Sequence, residues 1–303
     1  MTLAAIDIGT NSVKLLVGRV SGQRVAPLLH RSLITRLGEG LQKTGEISPE
    51  AADRTIAALV ELRGLAEERK VEQLRAVGTL ALRAAKNGRA FVDRCAREAG
   101  LDVRILTGEE EARLSFLGAS GSSTSEQVLG IEIGGGSTQI MVGTRSKLHA
   151  SWSLGMGAVV LTEQFLRTDP PAAEEMLAMS AGIREHLQNV VARVGQDGEL
   201  VGIGGTVSAI LTLLRKNEGS DPREFHQTSV PFETISALSI HLSLKTVAER
   251  ERMGLEPGRA DIITAGAWIL TAAMSHLEAT SLRASAHGLR HGLLIEMAST
   301  RGA

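Results

Sequence analysis

The feature that most constrains this sequence is an internal repeat. Residues 6–18, IDIGTNSVKLLVG, recur as residues 131–143, IEIGGGSTQIMVG, at a constant offset of 125 with no gap. Each copy has an apolar segment, a carboxylate, a turn rich in small polar residues, and a second apolar segment. This pattern predicts a β-hairpin with a polar tip.

A tip of this composition can bind an anion, because backbone N–H groups and hydroxyls converge on it. One glycine-rich tip alone is weak evidence, because ordinary glycine-rich hairpin turns without a ligand are common. Two aligned copies favour a stronger interpretation: two duplicated domains that hold one phosphorylated ligand between them.

Length and composition limit the class of protein. The 303 residues are enough for two domains of roughly 150 residues each. The net charge of −1 argues against a nucleic-acid partner, and so does the scarcity of aromatic side chains for stacking on bases. We find no apolar run of about 18 residues and no basic leader, so we expect a cytoplasmic protein without a membrane partner. The single cysteine, Cys95, excludes an internal disulfide and a cysteine-rich metal site.

Strands and helices alternate in both halves, which predicts α/β domains. We place the first domain at residues 1–125 and the second at 126–303. The low-complexity stretch 118–127 forms the link, and the last helix is a candidate to pack back on the first domain. The predicted elements are a hairpin at 3–21, a strand at 24–35, a helix at 49–70, a strand at 74–83, a helix at 88–99, a strand at 103–107, a helix at 108–119, a hairpin at 128–143, a strand at 147–154, a helix after 171, a strand at 199–204, helices at 206–216, 233–251 and 259–277, a strand at 282–286 and a helix at 288–299.

A third glycine-rich element lies at residues 202–210, GIGGTVSAI. Here a strand is predicted to end and a helix to begin near Thr206. A helix N-terminus presents unpaired N–H groups and a partial positive charge, so it can bind phosphate. The alternative is a tight strand-to-helix turn without a ligand, and the two hairpins make that alternative the weaker one.

Eight motifs together resemble a known family. In order they are AIDIGTNSVKLLV, GTLALRAAKN, TGEEEARLSFLG, IEIGGGSTQI, SLGMGAVVLTEQF, GIGGT, GRADIITAGAWIL and GLRHGLL. Over essentially the whole chain they resemble the Ppx/GppA family of exopolyphosphatases and guanosine pentaphosphate phosphohydrolases, in its short, two-domain form. The family belongs to the actin, Hsp70 and sugar-kinase superfamily. The resemblance implies an α/β fold of two ribonuclease-H-like domains with an interdomain cleft.

The resemblance also implies a reaction and its cofactor. The reaction is hydrolysis of a terminal phosphoanhydride with Mg²⁺, with Mn²⁺ as the alternative metal. Glu111, directly before Ala112, matches the family's catalytic residue and is expected to act as the general base for the attacking water. Its neighbours Glu109 and Glu110 are explained by the preference for acidic residues in a helix's first turn. Arg83 matches an arginine that neutralises phosphate charge in the transition state.

The resemblance also implies roles for the remaining site residues, which lie in the three glycine-rich elements. Asp7 and Glu132 are expected to hold the metal, directly or through its waters. The residues expected to contact phosphate oxygens are Gly9, Thr10, Asn11 and Ser12 in the first tip, Gly134, Gly135, Gly136, Ser137 and Thr138 in the second, and Gly204, Gly205 and Thr206 in the third element.

The chain departs from the family's pattern at three positions. Glu132 stands where Asp is usual, and its extra methylene moves the carboxylate by about 2 Å on ordinary bond dimensions. Such a shift can cost rate in a site that depends on position, or the longer side chain can replace a bridging water. Ile203 stands where Thr is common. His291 stands where Glu is common; we interpret it as a helix-surface histidine and assign it no role.

Several functions compete. The first is an exopolyphosphatase acting on inorganic polyphosphate, and the second is a guanosine pentaphosphate 5′-phosphohydrolase. The absence of a base-specific motif favours the first. The third is a polyphosphate- or nucleotide-binding regulator with little turnover, which Glu132 motivates. A sugar kinase is disfavoured, because Glu111 stands where water activation is expected. The family resemblance hints at a homodimer.

Overall fold

The structure is a computed structural model that describes residues 1–195, 198–215 and 225–300. The chain forms two compact units. Unit 1 contains Met1–Gly118 and the chain from Gly288 onward, and unit 2 contains Ala119–His287. The division therefore falls earlier than the predicted 125/126, and the last helix belongs to unit 1. The last position of the helix predicted at 206–216, and positions 301–303 of the predicted second domain, lie outside the described residues.

Unit 1 is built on a five-stranded mixed sheet. The first three strands form an antiparallel meander, and two further strands extend the sheet in parallel beside the first. The strand order is β3-β2-β1-β4-β5. The strands are β1 (Thr2–Ile8), β2 (Ser12–Ser21), β3 (Arg24–Ile34), β4 (Gln73–Gly78) and β5 (Val103–Ile105).

Five α-helices follow β3 in the first segment of unit 1. They are α1 (Leu41–Thr44), α2 (Pro49–Glu68), α3 (Leu80–Ala84), α4 (Gly88–Arg94) and α5 (Gly108–Ala119). The predicted start of α2 is confirmed, since the Ser48 hydroxyl accepts a hydrogen bond from Ala51 N and Pro49 is the first helical residue. A π-helical turn with buried Cys95 extends α4.

Unit 2 repeats the architecture with a six-stranded sheet of order β10-β11-β9-β6-β7-β8. The strands are β6 (Gln127–Ile133), β7 (Thr138–Thr144), β8 (Leu148–Leu154), β9 (Glu199–Ile203), β10 (Ser229–Pro231) and β11 (Ser281–Ala284). The helices are α6 (Ala158–Phe165), α7 (Ala173–Leu187), α8 (Gly204–Leu214), α9 (Phe232–Ser243), α10 (Val247–Arg252) and α11 (Ile263–His276). After β11 the chain returns to unit 1 as α12 (Leu289–Ser299).

The sheet of unit 1 is covered on both faces because alternate residues of its strands point to opposite sides. In β1, Ile6 and Ile8 pack with α2, while Leu3 and Ala5 pack with Leu293 and other apolar residues of α12. Unit 2 has its own continuous core, which includes residues of both β6 and α11. Within the described residues, we find no helix that is both long and apolar enough to span a membrane.

The predicted α/β class is confirmed, and several element predictions are corrected. The predicted strand at 74–83 ends at Gly78 and continues as α3. The predicted helix at 233–251 is two helices, because Thr246 begins α10 with a capping box to Glu249. Helix α6 and the edge strand β10 were missed, since a short apolar helix after glycines and a three-residue strand carry little periodicity.

Candidate active site

The two repeated hairpin tips close in the same way. Gly9 N donates to Ser12 O at 3.1 Å in unit 1, and Gly134 N donates to Ser137 O at 2.9 Å in unit 2. The four residues involved stand at the offset of 125 seen in the sequence. The hairpins predicted at both positions are therefore confirmed, with the polar residues at the turns.

The loop after β3 supports the first tip. Asn11 O accepts hydrogen bonds from Thr35 N at 3.1 Å and Arg36 N at 2.9 Å, and Thr10 O accepts one from Gly38 N at 2.9 Å. The side chains of Thr10 and Asn11 are nearly buried. The tip is thus preorganised by backbone hydrogen bonds to its carbonyl groups.

The first turn of α6 supports the second tip. Gly134 O accepts from Ala158 N at 2.9 Å, and Gly135 O accepts from Val159 N at 2.8 Å. A Cβ at Gly157 would lie 2.4 Å from Gly135 O, so only glycine fits there. A signal for this support was present in the sequence, since both supporting segments carry Leu-Gly-x-Gly, at 37–40 and 154–157.

Asp7 lies at the end of β1, directly opposite Lys14 on β2. Its Oδ1 is enclosed and accepts no hydrogen bond within the described residues. Burial raises the pKa of Asp7 above its ordinary value, and the positive charges of Lys14 and Arg290 counteract part of that rise. Arg290 also donates to Leu15 O at 3.0 Å, which fixes its guanidinium below the tip.

Glu132 occupies the equivalent place in unit 2, but the residue opposite it is Gln139 rather than a lysine. The Gln139 side chain is 1% exposed, and its Oε1 accepts no hydrogen bond within the described residues. A Cβ at Gly204 would lie 3.6 Å from Glu132 Oε1, so the carboxylate lies beside the start of α8. The two carboxylates of the repeat therefore have different neighbours.

Glu111 is brought to Arg83 by the fold of unit 1. Its side chain lies on the first turn of α5 and is largely buried, while Arg83 is the fourth residue of α3. Arg83 Nη1 lies 3.3 Å from Glu111 Oε2 and donates to Leu106 O at 2.6 Å. The arginine thus anchors the carboxylate to the strand end that precedes α5.

The structure distinguishes Glu111 from the two preceding glutamates. Glu110 forms a capping box: its carboxylate accepts from Thr107 N at 2.9 Å, and its own N–H donates to the Thr107 hydroxyl. The Thr107 N–H bond lowers the pKa of Glu110 below its ordinary value. Glu109 is exposed. Glu110 therefore caps the first turn of α5, and Glu109 is exposed on that turn.

The third glycine-rich element begins α8 earlier than predicted, so that Gly204 and Gly205 are its first residues. The Thr206 hydroxyl donates to Ile133 O at 3.4 Å, and the Thr79 hydroxyl of unit 1 lies 3.5 Å from Ile8 O. The two accepting carbonyls again stand at the offset of 125. Thr79 is thus a structural counterpart of Thr206 that the sequence analysis missed.

Arg259 is a second candidate that the sequence analysis missed, although it lies within the quoted motif GRADIITAGAWIL. A Cβ at Gly205 would lie 2.5 Å from Arg259 Nη1, so the guanidinium lies against the first turn of α8. Burial lowers the pKa of Arg259 from its ordinary value, and the nearby Glu256 counteracts this. A desolvated cation next to a helix N-terminus is a favourable environment for an anion.

The interpretation of His291 as a helix-surface residue is wrong. Its side chain is 2% exposed and lies with its ring centroid 5.9 Å from that of His30 on β3. Residue 291 faces the sheet because α12 packs across β1, β2 and β3. A single helical turn gives no indication of which side a neighbouring sheet will cover.

Comparisons with known proteins place this chain in a family. The model of the Ppx/GppA phosphatase family matches residues 16–301, and the chain therefore belongs to that family. Exopolyphosphatase 2 of Mycobacterium tuberculosis strain H37Rv is 32% identical over 314 aligned positions, which cover 98% of each chain. Family members are phosphatases, so the protein is a phosphoanhydride hydrolase by class.

Solved structures agree with this assignment. The Aquifex aeolicus member of the Ppx/GppA family superposes with a TM-score of 0.83 at 32% identity, covering 100% of this chain and 99% of the other. An exopolyphosphatase-like protein superposes with a TM-score of 0.94 at 28% identity, with the same coverage. The predicted α/β fold with two domains is thereby confirmed.

Proposed function

We propose that this protein is an exopolyphosphatase that hydrolyses the terminal phosphoanhydride of inorganic polyphosphate and releases orthophosphate. The observation that carries the proposal is the Glu111–Arg83 pair, which holds a largely buried carboxylate in place on α5. The name of the Mycobacterium tuberculosis relative supports the choice of substrate.

In this proposal Glu111 is the general base. Its carboxylate accepts a proton from the attacking water as the water's oxygen bonds to the terminal phosphorus, and the bridging P–O bond breaks. Arg83 holds Glu111 and supplies positive charge close to the reacting phosphate. General-base catalysis of this kind typically contributes about 10²- to 10⁴-fold in rate.

The hairpin tips and the start of α8 are proposed to bind the phosphate chain. Residues Gly9 to Ser12 and Gly134 to Thr138 are proposed to contact phosphate oxygens through the hydroxyls and backbone groups at the turns. Gly204, Gly205 and Thr206 supply the N-terminal end of α8. We add Arg259 to this set, because its guanidinium lies against Gly205 at the start of α8.

The described carboxylates fit a hydrated Mg²⁺ better than a fully protein-enclosed metal. No cluster of three or more His, Cys, Asp or Glu side chains suited to a metal is found among the described residues. Asp7 Oδ1 and Gln139 Oε1 are buried oxygens with no hydrogen bond from a described group. Oxygen ligands with few carboxylates match Mg²⁺, which keeps several waters and also binds substrate phosphate. Asp7 and Glu132 would hold the ion, which would neutralise phosphate charge; Mn²⁺ is the alternative.

The test is phosphate release from long-chain polyphosphate and from guanosine pentaphosphate, measured side by side with Mg²⁺. We expect the larger kcat/KM with polyphosphate. A larger value with guanosine pentaphosphate would favour the phosphohydrolase alternative. Tight binding of polyphosphate without phosphate release would favour the regulator. Light scattering of the purified protein in the same buffer tests the homodimer suggested by the family resemblance.

A further inference from the structure

We propose that α12 positions the general base. Gly292 and Glu296 together fix the position of α5, and α5 in turn holds Glu111 in its catalytic position. This inference rests on the proposed function of Glu111. Neither residue touches substrate in the proposal, so both are positioning residues, and they act through α5.

The first observation is a backbone-to-backbone contact between α5 and α12. A Cβ at Gly292 would lie 1.9 Å from Leu114 O and 2.7 Å from Leu114 C. A Cβ at Gly118 would lie 2.2 Å from Gly288 O. Each close atom belongs to the backbone, so no side-chain rotation relieves the overlap. Glycine at these positions therefore sets how closely the two helices approach.

The second observation is a cluster of charges on the same side of α12. The Glu296 carboxylate pairs with Arg113, the second residue after Glu111, and this ion pair is the closest of the cluster. The Glu296 Oε1 atom also lies 3.5 Å from Arg104 Nη2 and 3.9 Å from Arg75 Nη1. The Glu296 side chain is 18% exposed, so water screens these contacts less than on an open surface. The cluster ties α12 to α5, β5 and β4.

Apolar packing between α5 and α12 adds to these contacts. Leu114 is fully buried together with Leu289 and Leu293 of α12. Leu114 lies three residues after Glu111, which is one turn along the same face of α5. A displacement of α5 at Leu114 is therefore transmitted to Glu111. Arg83 donates hydrogen bonds to Glu111. The geometry of these bonds depends on where α5 holds Glu111.

Adding one methyl group at Gly292 must change this arrangement. The two backbones have to separate by about 1.5 Å before the contact reaches an ordinary van der Waals distance. A misplacement of about 1 Å far from the reacting atoms can cost about 10²-fold in rate. The binding of substrate by the tips does not involve α5, so KM should change little.

The main test compares Gly292→Ala with Gly64→Ala. Gly64 lies inside α2, and a Cβ there would meet nothing within 4 Å, so this variant controls for glycine replacement in a helix of the same unit. We expect Gly292→Ala to lower kcat by about 10- to 100-fold with KM within twofold, and Gly64→Ala to match wild type. Hydrogen–deuterium exchange of residues 109–118 should be faster in Gly292→Ala alone.

A double-mutant cycle separates positioning from general damage. If Gly292 acts through Glu111, adding Gly292→Ala to Glu111→Gln leaves the residual rate unchanged. If Gly292→Ala lowers that residual rate by the same factor as in wild type, the positioning role is overturned. An unchanged kcat in folded Gly292→Ala overturns it equally.

A second variant covers the case in which Gly292→Ala does not fold. Glu296→Gln keeps the side-chain shape and removes the charge that three arginines share; its control is Glu61→Gln, an exposed partner of Arg31. We expect kcat to fall in Glu296→Gln, with KM unchanged, and to stay at the wild-type value in Glu61→Gln. A wild-type kcat in Glu296→Gln as well as in Glu61→Gln overturns the proposal. If the wild-type protein does not hydrolyse polyphosphate, the proposed function is refuted. The hydrogen–deuterium exchange measurement still tests whether α12 fixes the position of α5.

Discussion

Three consecutive glutamates in one helical turn, residues 109–111, have three different environments. Glu109 is exposed, Glu110 caps its own helix, and Glu111 is buried against Arg83. Successive helical residues point about 100° apart, so only one of the three can face a given neighbour. Position on the helix, rather than residue type, selects the candidate base.

Glu111→Gln should abolish hydrolysis while folding and substrate binding are retained. The amide cannot accept the proton of the attacking water, and a missing general base typically costs about 10²- to 10⁴-fold. Steady-state phosphate release and a thermal melt of the purified variant check this. A kcat above about a third of wild type would refute the assignment. Glu109→Gln is the matched control and should keep wild-type activity.

Substitutions at Glu132 distinguish an enzyme whose site is adapted to the longer carboxylate from a protein with little turnover. If the site is adapted to the longer carboxylate, Glu132→Asp should change kcat within tenfold, and Glu132→Gln should cost far more by weakening the proposed metal site. If the site is poorly adapted, turnover of wild type is near background and Glu132→Asp raises it.

The measurement for Glu132 is kcat against Mg²⁺ concentration for wild type, Glu132→Asp and Glu132→Gln. Asp7→Asn serves as the comparison from the other copy of the repeat, and it should impair metal-dependent turnover. Equal, Mg²⁺-independent rates in all four proteins would reject the metal-site argument for both carboxylates.

Among the elements, α2 has a start that can be tested by itself. The Ser48 hydroxyl accepts from Ala51 N at 3.1 Å, so it satisfies one of the free N–H groups of the first turn. Ser48→Ala should lower the free energy of unfolding by about 1 kcal/mol. Denaturant titration measures this, and Ser48→Asp, which can also cap, should retain most of the stability. An equal loss in both variants would show that capping is not the cause.

A histidine pair, His226 and His287, should make unit 2 sensitive to acid. The rings of His226 and His287 lie 4.3 Å apart, and burial together with His226 lowers the pKa of His287 from 6.5 to about 4. Between these pH values the unfolded chain binds more protons than the folded one at this residue. Stability should therefore be fully present above about pH 6.5 and fall as the pH is lowered toward 4.

Denaturant unfolding at several pH values checks the histidine prediction. His287→Gln should reduce the slope of unfolding free energy against pH between 4 and 6.5. Replacing the exposed His241 with Gln should leave that slope unchanged. A wild-type slope in His287→Gln would contradict the prediction.

At the scale of the whole molecule, the net charge of the protein does not explain how a polyanionic substrate is attracted. The chain carries a formal net charge of −1, so a polyanion is not attracted by the protein as a whole. Local cations such as Arg83 and Arg259 must supply the attraction. We expect KM for long polyphosphate to rise more steeply with KCl than KM for guanosine pentaphosphate, because each further engaged phosphate adds a screened contact. Equal slopes for the two substrates would contradict this.

Much of the fold was predictable because its signals are local. Hairpin tips, the cap at Ser48 and the helix of residues 108–119 depend on neighbours within a few positions, so the chain's own order encodes them. The internal repeat at an offset of 125 likewise indicated two similar units, and the motifs indicated the family. The residues of the three glycine-rich elements were named from sequence on the same grounds.

Only the tertiary structure decided which distant groups meet. Glu111 lies 28 residues from Arg83 along the chain, and Arg259 lies against Gly205 although nothing in its own motif points there. The return of α12 to unit 1 buries His291 and seats α5, and no periodicity within eleven residues of helix reveals that partner. Local order determines helices, strands and turns, whereas contacts between elements arise from packing of the whole chain around its cores.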